Sequence, residues 1–295
     1  MEILKTVFRR KRAKPYYHLM HCVPHRKLHG LNGYYEVIET VAWGLKQLGN
    51  DVVYGLNQHD PEAINITFGE HVFPVEYLES MPKNTICYNL EQIRNLDSQS
   101  LNEQVKYVAQ NFTLWDYSAA NLETWAGLGR ADVQVVPIGY APILTRIPKA
   151  IEQDIDVLIF GSSSETRLHA FDALTNAGLT VIFVCGLYGK ARDDLITRAK
   201  IVLNVNKYHH AQVFEIVRAS YLLANRKAVV STLDANTFVE EEIKAAIKFT
   251  TMETLLDDCI RLLKNDAERC SLEEYGYELM SKRDIRAILS TALSI

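Results

Sequence analysis

Two segments in the second half of the chain carry residue types suited to binding an activated phosphate ester. Gly161-Ser162-Ser163-Ser164 follows an apolar run and precedes a helical pattern. Small residues let the backbone approach an anion, and a helix N-terminus adds free N–H groups and a favourable dipole, so this is the make-up of a phosphate cradle. Arg167, in the first turns of that helix, is placed to pair with phosphate oxygens. An ordinary turn with Ser164 as N-cap would read the same way. Phe214-Glu215-Ile216-Val217-Arg218 opens a second helix. The helix dipole alone favours a glutamate in a first turn. A carboxylate there can also accept both hydroxyls of a nucleotide's ribose. Arg167, Lys207 and Arg218 are the cations near these segments that can pair with phosphate oxygens. Neither GxGxxG nor GxxxxGK[ST] occurs, so nothing specifies a dinucleotide or a P-loop.

In the first half, His71 is the candidate general base, with Glu70 beside it to orient the ring. Glu70 itself, Glu36 and Asp116 are rivals, and a surface or core histidine is the competing reading. His18, His21, His25 and His29 are spaced by three, four and four residues, as metal ligands can be. Pro24 interrupts any single helix, however, and a strand would not make them converge, so no metal is expected. His29, Gly30 and Gly33 follow the first strand-like run, at a strand end where a cleft would open. His209-His210 lies just before the Glu215 helix, where it either touches a bound phosphate ester or is exposed.

These residues need a scaffold, and hydrophobic periodicity supplies one. Strand-like runs cover Tyr17–Val23, Asp51–Leu56, Ala63–Phe68, Thr85–Leu90, Tyr107–Ala109 and Val133–Pro137. Between the first two, Val37, Ile38, Val41, Ala42, Leu45 and Leu48 mark one helical face, stopped by Gly49-Asn50. A second helix is expected over Ser118–Ala126. Pro137, Pro142 and Pro148 then exclude helix or central strand and mark a linker. The pattern restarts with strands at Asp156–Phe160, Thr180–Cys185, Lys200–Val205 and Ala228–Ser231. A helix with Leu168, Phe171, Ala173 and Leu174 as its stripe follows the first of them, and a helix over Gln212–Ala224 precedes the last. From Thr251 on the chain reads as helical, with Met252, Leu255, Leu256, Cys259, Ile260 and Leu263 as its clearest stripe.

Strands alternating with helices imply parallel sheets covered on both faces. The expected class is therefore α/β, with two Rossmann-like domains facing across a cleft and C-terminal helices. The divisions are 1–140, a linker at 141–155, and 156–295, with the last helix packing back on the first domain. Ligands in such sheets bind beyond the carboxyl ends of the strands. Those ends carry Gly161-Ser162, Gly186-Leu187-Tyr188-Gly189, Asn204-Val205-Asn206 and Ser231-Thr232 in the second half. In the first they carry His25–Gly33, Asn57, Glu70-His71 and Glu91-Gln92.

Composition narrows the classes. The chain has 295 residues, 48% hydrophobic and 23% charged, which is the profile of a globular two-domain protein. A net charge of −4 argues against a general nucleic-acid binder. Five scattered cysteines, never paired as CxxC, fit reduced thiols in a cytoplasmic compartment. No apolar run is long enough to span a bilayer. The basic run Arg9, Arg10, Lys11, Arg12 and Lys14 is a solvated tail or a contact with an anionic inner membrane face.

The segments Asp156–Ser162, Gly186-Leu-Tyr-Gly189, Ala199–Asn206 and Phe214-Glu215 through Ser231 resemble the donor-binding domain of bacterial GT-B glycosyltransferases of the family 1/4 type. Tyr88–Gln92 and Val136–Tyr140 are similar to stretches of the same group. The resemblance implies that Glu215 binds the donor ribose and that Gly161 and Arg167 bind the pyrophosphate. Ser162, Gly186, Tyr188, Asn206, Lys207, Phe214 and Arg218 complete the donor site, Arg167, Lys207 and Arg218 would stabilise the leaving phosphate, and His29, Gly30 and Gly33 would line the acceptor side. It also implies a metal-independent transfer, with no cofactor beyond the nucleotide-sugar co-substrate. The acceptor would be a glycan, a lipid-linked precursor or another cell-surface precursor. A protein or modified nucleic-acid base as acceptor, and a non-catalytic nucleotide-sugar-binding subunit, are the alternatives. Lys207 stands eight residues before Glu215, where the common two-glutamate motif has its first glutamate.

Overall fold

The computed structural model describes residues 16–23, 31–94, 96, 101–206 and 213–294. The first half contributes β1 (Tyr17–His21), α1 (Tyr35–Gln47), β2 (Val52–Leu56), β3 (Ile64–Phe68), α2 (Val75–Glu79), β4 (Ile86–Asn89), α3 (Glu103–Asn111), β5 (Thr113–Asp116), α4 (Leu122–Gly127) and β6 (Gln134–Val135). Its six strands are ordered β2-β1-β3-β4-β5-β6, and every pair is parallel. The second half contributes β7 (Ile155–Phe160), α5 (Glu165–Asn176), β8 (Val181–Val184), α6 (Gly189–Arg198), β9 (Ala199–Asn204), α7 (Ile216–Ala224), β10 (Ala228–Thr232), α8 (Glu241–Lys244) and β11 (Lys248–Thr250). This sheet runs β11-β10-β9-β7-β8, again parallel throughout. α9 (Leu255–Lys264), α10 (Asp266–Ser281) and α11 (Ile285–Leu293) finish the chain.

The central strands β1, β3, β7, β9 and β10 are almost wholly buried, as sheets covered on both faces require. The edge strand β2 is the exception, with Val53, Tyr54 and Leu56 exposed. One apolar cluster joins the halves, from Leu19 and Trp115 through Tyr140 to Leu158, Leu222 and Leu289. α11 packs against α1, where Gly44 leaves no room for a side chain. A Cβ there would lie 2.7 Å from Leu289 Cδ1. The C-terminal segment is also tied to the first half by backbone bonds between Tyr140 N and Arg283 O (2.7 Å) and between Ile285 N and Tyr140 O (3.1 Å).

Four expectations change. Tyr107–Ala109 is not a strand but the last part of α3. Val105, Val108 and Ala109 recur at helical spacing, and the Asn102 side chain caps the helix by accepting from Val105 N (2.9 Å). The strand lies just beyond it, at β5. The helix expected over Gln212–Ala224 begins only at Ile216, because Phe214 N donates to Phe238 O (2.9 Å) and holds that stretch extended. The buried stripe of α5 is Thr166, Arg167, Ala170 and Leu174, and Leu168 is exposed. Finally, α6 and β11 were not legible. α6 opens Gly-Lys-Ala-Arg-Asp-Asp and is too polar for a clear stripe, and β11 has only three residues.

Candidate active site

The carboxyl ends of both sheets open on one cleft of about 190 Å³. From the first half come Gly33, Tyr34 and Glu36 at the start of α1, Leu90–Gln92 after β4, and Tyr117 after β5. From the second come Phe160–Ser162 at the end of β7, Gly186–Tyr188 after β8, and Glu215 and Arg218 at the start of α7.

Glu215 is the N-cap residue of α7, yet its side chain does not cap the helix. Instead Oε1 accepts from Gln92 Nε2 (2.8 Å), across the cleft, and Oε2 lies 3.6 Å from Arg218. Gln92 also reaches Val213 N through its carbonyl oxygen (3.4 Å), so one glutamine of the first half reads this turn of the second. Arg218 Nη1 donates to Asn204 Oδ1 (2.9 Å). Gly161 adopts φ +131°, and a Cβ there would lie 2.9 Å from Arg167 Nη1 and 3.2 Å from Arg218 Nη2. The glycine therefore serves backbone conformation and close approach together.

The two arginines differ. Arg167 is buried, donating from Nε to Val205 O (2.9 Å) and from Nη1 to Ser162 O (2.6 Å). Burial, with Arg218 nearby, pulls its guanidinium down to about 10, still fully charged at neutral pH. It braces the loop from beneath, whereas Arg218 faces the cleft.

On the opposite side, Asp116 at the end of β5 is fully buried. It accepts from Trp125 Nε1 (2.7 Å), Asn89 Nδ2 (2.7 Å), Asn121 Nδ2 (3.0 Å) and Ser118 N (2.8 Å). Burial nevertheless raises its pKa to about 6. Those same asparagines donate to Glu91 O, at 2.9 Å from Asn89 and 3.1 Å from Asn121. Tyr34 Oη donates to Glu91 Oε1. A third group joins the halves. Arg192 on α6 donates from Nη2 to Glu36 Oε1 (2.6 Å) and to Asp193 Oδ1 (2.9 Å), with both Arg192 and Glu36 buried.

Of the residues expected at the site, Gly33, Gly161, Ser162, Gly186, Tyr188, Glu215 and Arg218 line the cleft. Phe214 is core, edge-on to Phe249 (5.4 Å), and Asn206 is buried with its Nδ2 on Asp234 (3.2 Å). Neither His71 nor Glu70 lines the cleft. Glu70 is buried and accepts from Thr67 Oγ1 (3.1 Å) instead of orienting His71, and burial pushes it up to about 7. Burial lowers the pKa of His71. His18 and His21 lie on β1, where their Nδ1 atoms meet Asn65 Oδ1 (3.0 Å) and Tyr54 Oη (3.2 Å). Among the described residues no group of three or more potential ligands gathers as a metal site would require. Likewise, no helix among them is long and apolar enough to cross a membrane. The basic run at 9–14, His25, His29, Gly30, Lys207, His209 and His210 lie outside the described residues. Tyr34 and Arg192 escaped the sequence reading, because a tyrosine before a helix and an arginine in a polar one are ordinary surface signals.

No family model matches the chain. Uncharacterized protein R358 of Acanthamoeba polyphaga mimivirus is 24% identical over 238 residues, 78% of this chain and 82% of that one. Uncharacterized protein L140 of the same virus is 25% identical over 188 residues, and the match spans 62% of this chain and 60% of that protein's length. Three solved structures share the architecture over nearly the whole chain. AviGT4, a glycosyltransferase involved in avilamycin A biosynthesis, has a TM-score of 0.58 at 17% identity, covering 95% of this chain and 96% of its own. Anabaena Alr3699/HepE in complex with UDP-glucose has 0.63 at 12% identity, covering 94% and 100%. The DNA-modifying enzyme β-glucosyltransferase has 0.57 at 10% identity, covering 95% and 100%. This chain has the GT-B fold: two Rossmann-like domains that face each other across the cleft, with helices at the C-terminus.

Proposed function

We propose that the chain is a glycosyltransferase that takes a sugar from a uridine diphosphate donor. One observation carries the reading. At the carboxyl ends of the second sheet, a glycine with positive φ, a cleft-facing arginine and a partly exposed glutamate at a helix start lie on one wall. That is what a nucleoside diphosphate needs. Backbone at Gly161-Ser162 and the α5 N-terminus approach the pyrophosphate, Arg218 pairs with it, and Glu215 exchanges Gln92 for the ribose hydroxyls. Charge on the departing diphosphate then meets a preorganised positive wall, so the reading requires no metal or other cofactor. UDP-glucose and UDP are bound by Alr3699/HepE, which shares this fold, and this supports the choice of base. A saccharide or lipid-linked precursor is the proposed acceptor, and the basic run at 9–14 would suit an anionic membrane beside a cytoplasmic enzyme.

The test is thermal denaturation with UDP, GDP, CDP, ADP and TDP, each with and without EDTA. UDP should raise Tm whether or not EDTA is present, since a ligand of the folded state alone stabilises it. Glu215→Ala should remove most of that rise, with affinity falling at least tenfold by calorimetry. If no nucleotide at millimolar concentration moves Tm, the reading is wrong. An unchanged affinity in Glu215→Ala would remove the ribose assignment.

A further inference from the structure

We propose that Glu91 is the general base that takes the proton from the acceptor hydroxyl. The proposal rests on the glycosyl-transfer reading and adds the residue that activates the nucleophile. Glu91 stands at the carboxyl end of β4, is exposed, and lines the cleft on the wall opposite Gly161 and Arg218.

A base must be held still, and the main chain at Glu91 is pinned from three sides. Its carbonyl accepts from Asn89 Nδ2 (2.9 Å) and Asn121 Nδ2 (3.1 Å), and its N–H donates to Asn89 Oδ1 (3.2 Å). Both asparagines are held in turn by the buried Asp116, whose oxygens are saturated by donors. Tyr34 holds the carboxylate itself by donating to Oε1. Among the described residues no hydrogen bond uses Oε2. One oxygen is thus fixed and the other is open to a substrate proton. The other acidic groups near this wall are less suited. Asp116 and Glu70 are buried away from the cleft, and Glu36 is tied to Arg192 (2.6 Å). His71 lies outside the cleft lining, within reach of the charge on Glu91.

In the step, the acceptor oxygen forms a bond to the anomeric carbon as its proton passes to Glu91 Oε2. The bond from that carbon to the phosphate oxygen breaks, and its electron pair leaves with the nucleoside diphosphate. Attack from the face opposite the leaving group inverts the anomeric configuration.

Water is the smallest acceptor, so the test uses UDP-glucose, UDP-galactose and UDP-N-acetylglucosamine, with UDP release and the anomer of the freed sugar followed by NMR. Wild type should release an inverted sugar. Glu91→Gln should keep Tm and UDP affinity and lose turnover at least 100-fold, within the range for removal of a general base. Glu91→Asp should recover part of it, and formate or azide should partly rescue Glu91→Ala. Glu91→Gln turning over within a few-fold of wild type would overturn the proposal while leaving the transferase reading intact. So would a product of retained configuration. UDP binding without hydrolysis of any of the three donors counts against a carboxylate poised to activate a hydroxyl. Absence of both binding and hydrolysis in wild type would overturn the transferase reading and this proposal with it.

Discussion

Glu70 and Asp116 make the stability of the first half depend on pH in an unusual direction. Burial pushes Glu70 up to about 7 and Asp116 to about 6, whereas unfolded carboxyls titrate near 4. Between those values the folded chain holds more protons than the unfolded one, so this contribution to stability falls as pH rises from about 4 to 7. Glu70→Gln keeps an acceptor for Thr67 and removes the charge. The variant should match wild type near pH 4 and exceed it by roughly 1–3 kcal/mol at pH 8. Chemical denaturation at the two pH values checks this. A variant less stable than wild type at pH 8 would mean that the ionised carboxylate makes contacts worth more than its burial costs. The same residue shows the limit of reading a site from types. Glu70-His71 has the composition of an acid–base pair, but Thr67, three residues upstream, takes the carboxylate inward.

Helices α1 and α11 show how one element decides the placing of another. α1 presents Gly44 to α11, and Leu289 and Ile285 fill the space a side chain would occupy, with Ile285 Cγ2 at 3.0 Å from a Cβ. Gly44→Val should lower stability by about 1–3 kcal/mol through overpacking. Gly33→Ala is the control. Nothing lies within 4 Å of its Cβ, and the position calls for no positive φ. A melting curve for each variant distinguishes them, and equal melting temperatures would show that the α1–α11 contact is loose. The periodicity of α1 was plain in the sequence, because Val37, Ile38, Val41 and Leu45 form a single buried face. The reason for Gly44 was not, since its partner lies about 240 residues further on, and no local pattern records such a contact.

At the scale of the molecule, polar groups join the two halves beside the shared apolar cluster. Arg192 stacks near Tyr221 (4.7 Å) and joins buried Glu36 across the cleft. Arg146 adds a pair to Glu39 (2.9 Å), and Arg283 donates to Ile138 O (2.9 Å). Removing one member of a buried pair leaves the other without compensation, a loss of about 3–5 kcal/mol. Arg192→Met should therefore lower Tm markedly and raise the radius of gyration in small-angle scattering as the cleft loosens. Glu36→Gln combined with Arg192→Met should lose less than the sum of the two single changes. Additive losses and an unchanged radius would show that the apolar cluster alone sets the cleft.

The sequence by itself determined the class of the protein and most of one wall. Apolar runs alternating with helical faces specify two parallel sheets, and the rule that ligands gather at strand carboxyl ends reached Gly161, Gly186 and Tyr188, while a helix start marked Glu215 and Arg218. Those positions were legible because each is a local event, a turn or a helix start, encoded by neighbours in the chain. Only the tertiary structure decided what faces them. Gln92 meets Glu215 across 123 residues of chain and Arg192 meets Glu36 across 156. Glu91 owes its fixed position to an aspartate on the next strand. Such pairings are set by how two folded sheets pack, and that packing is a property of their surfaces rather than of any short stretch of sequence.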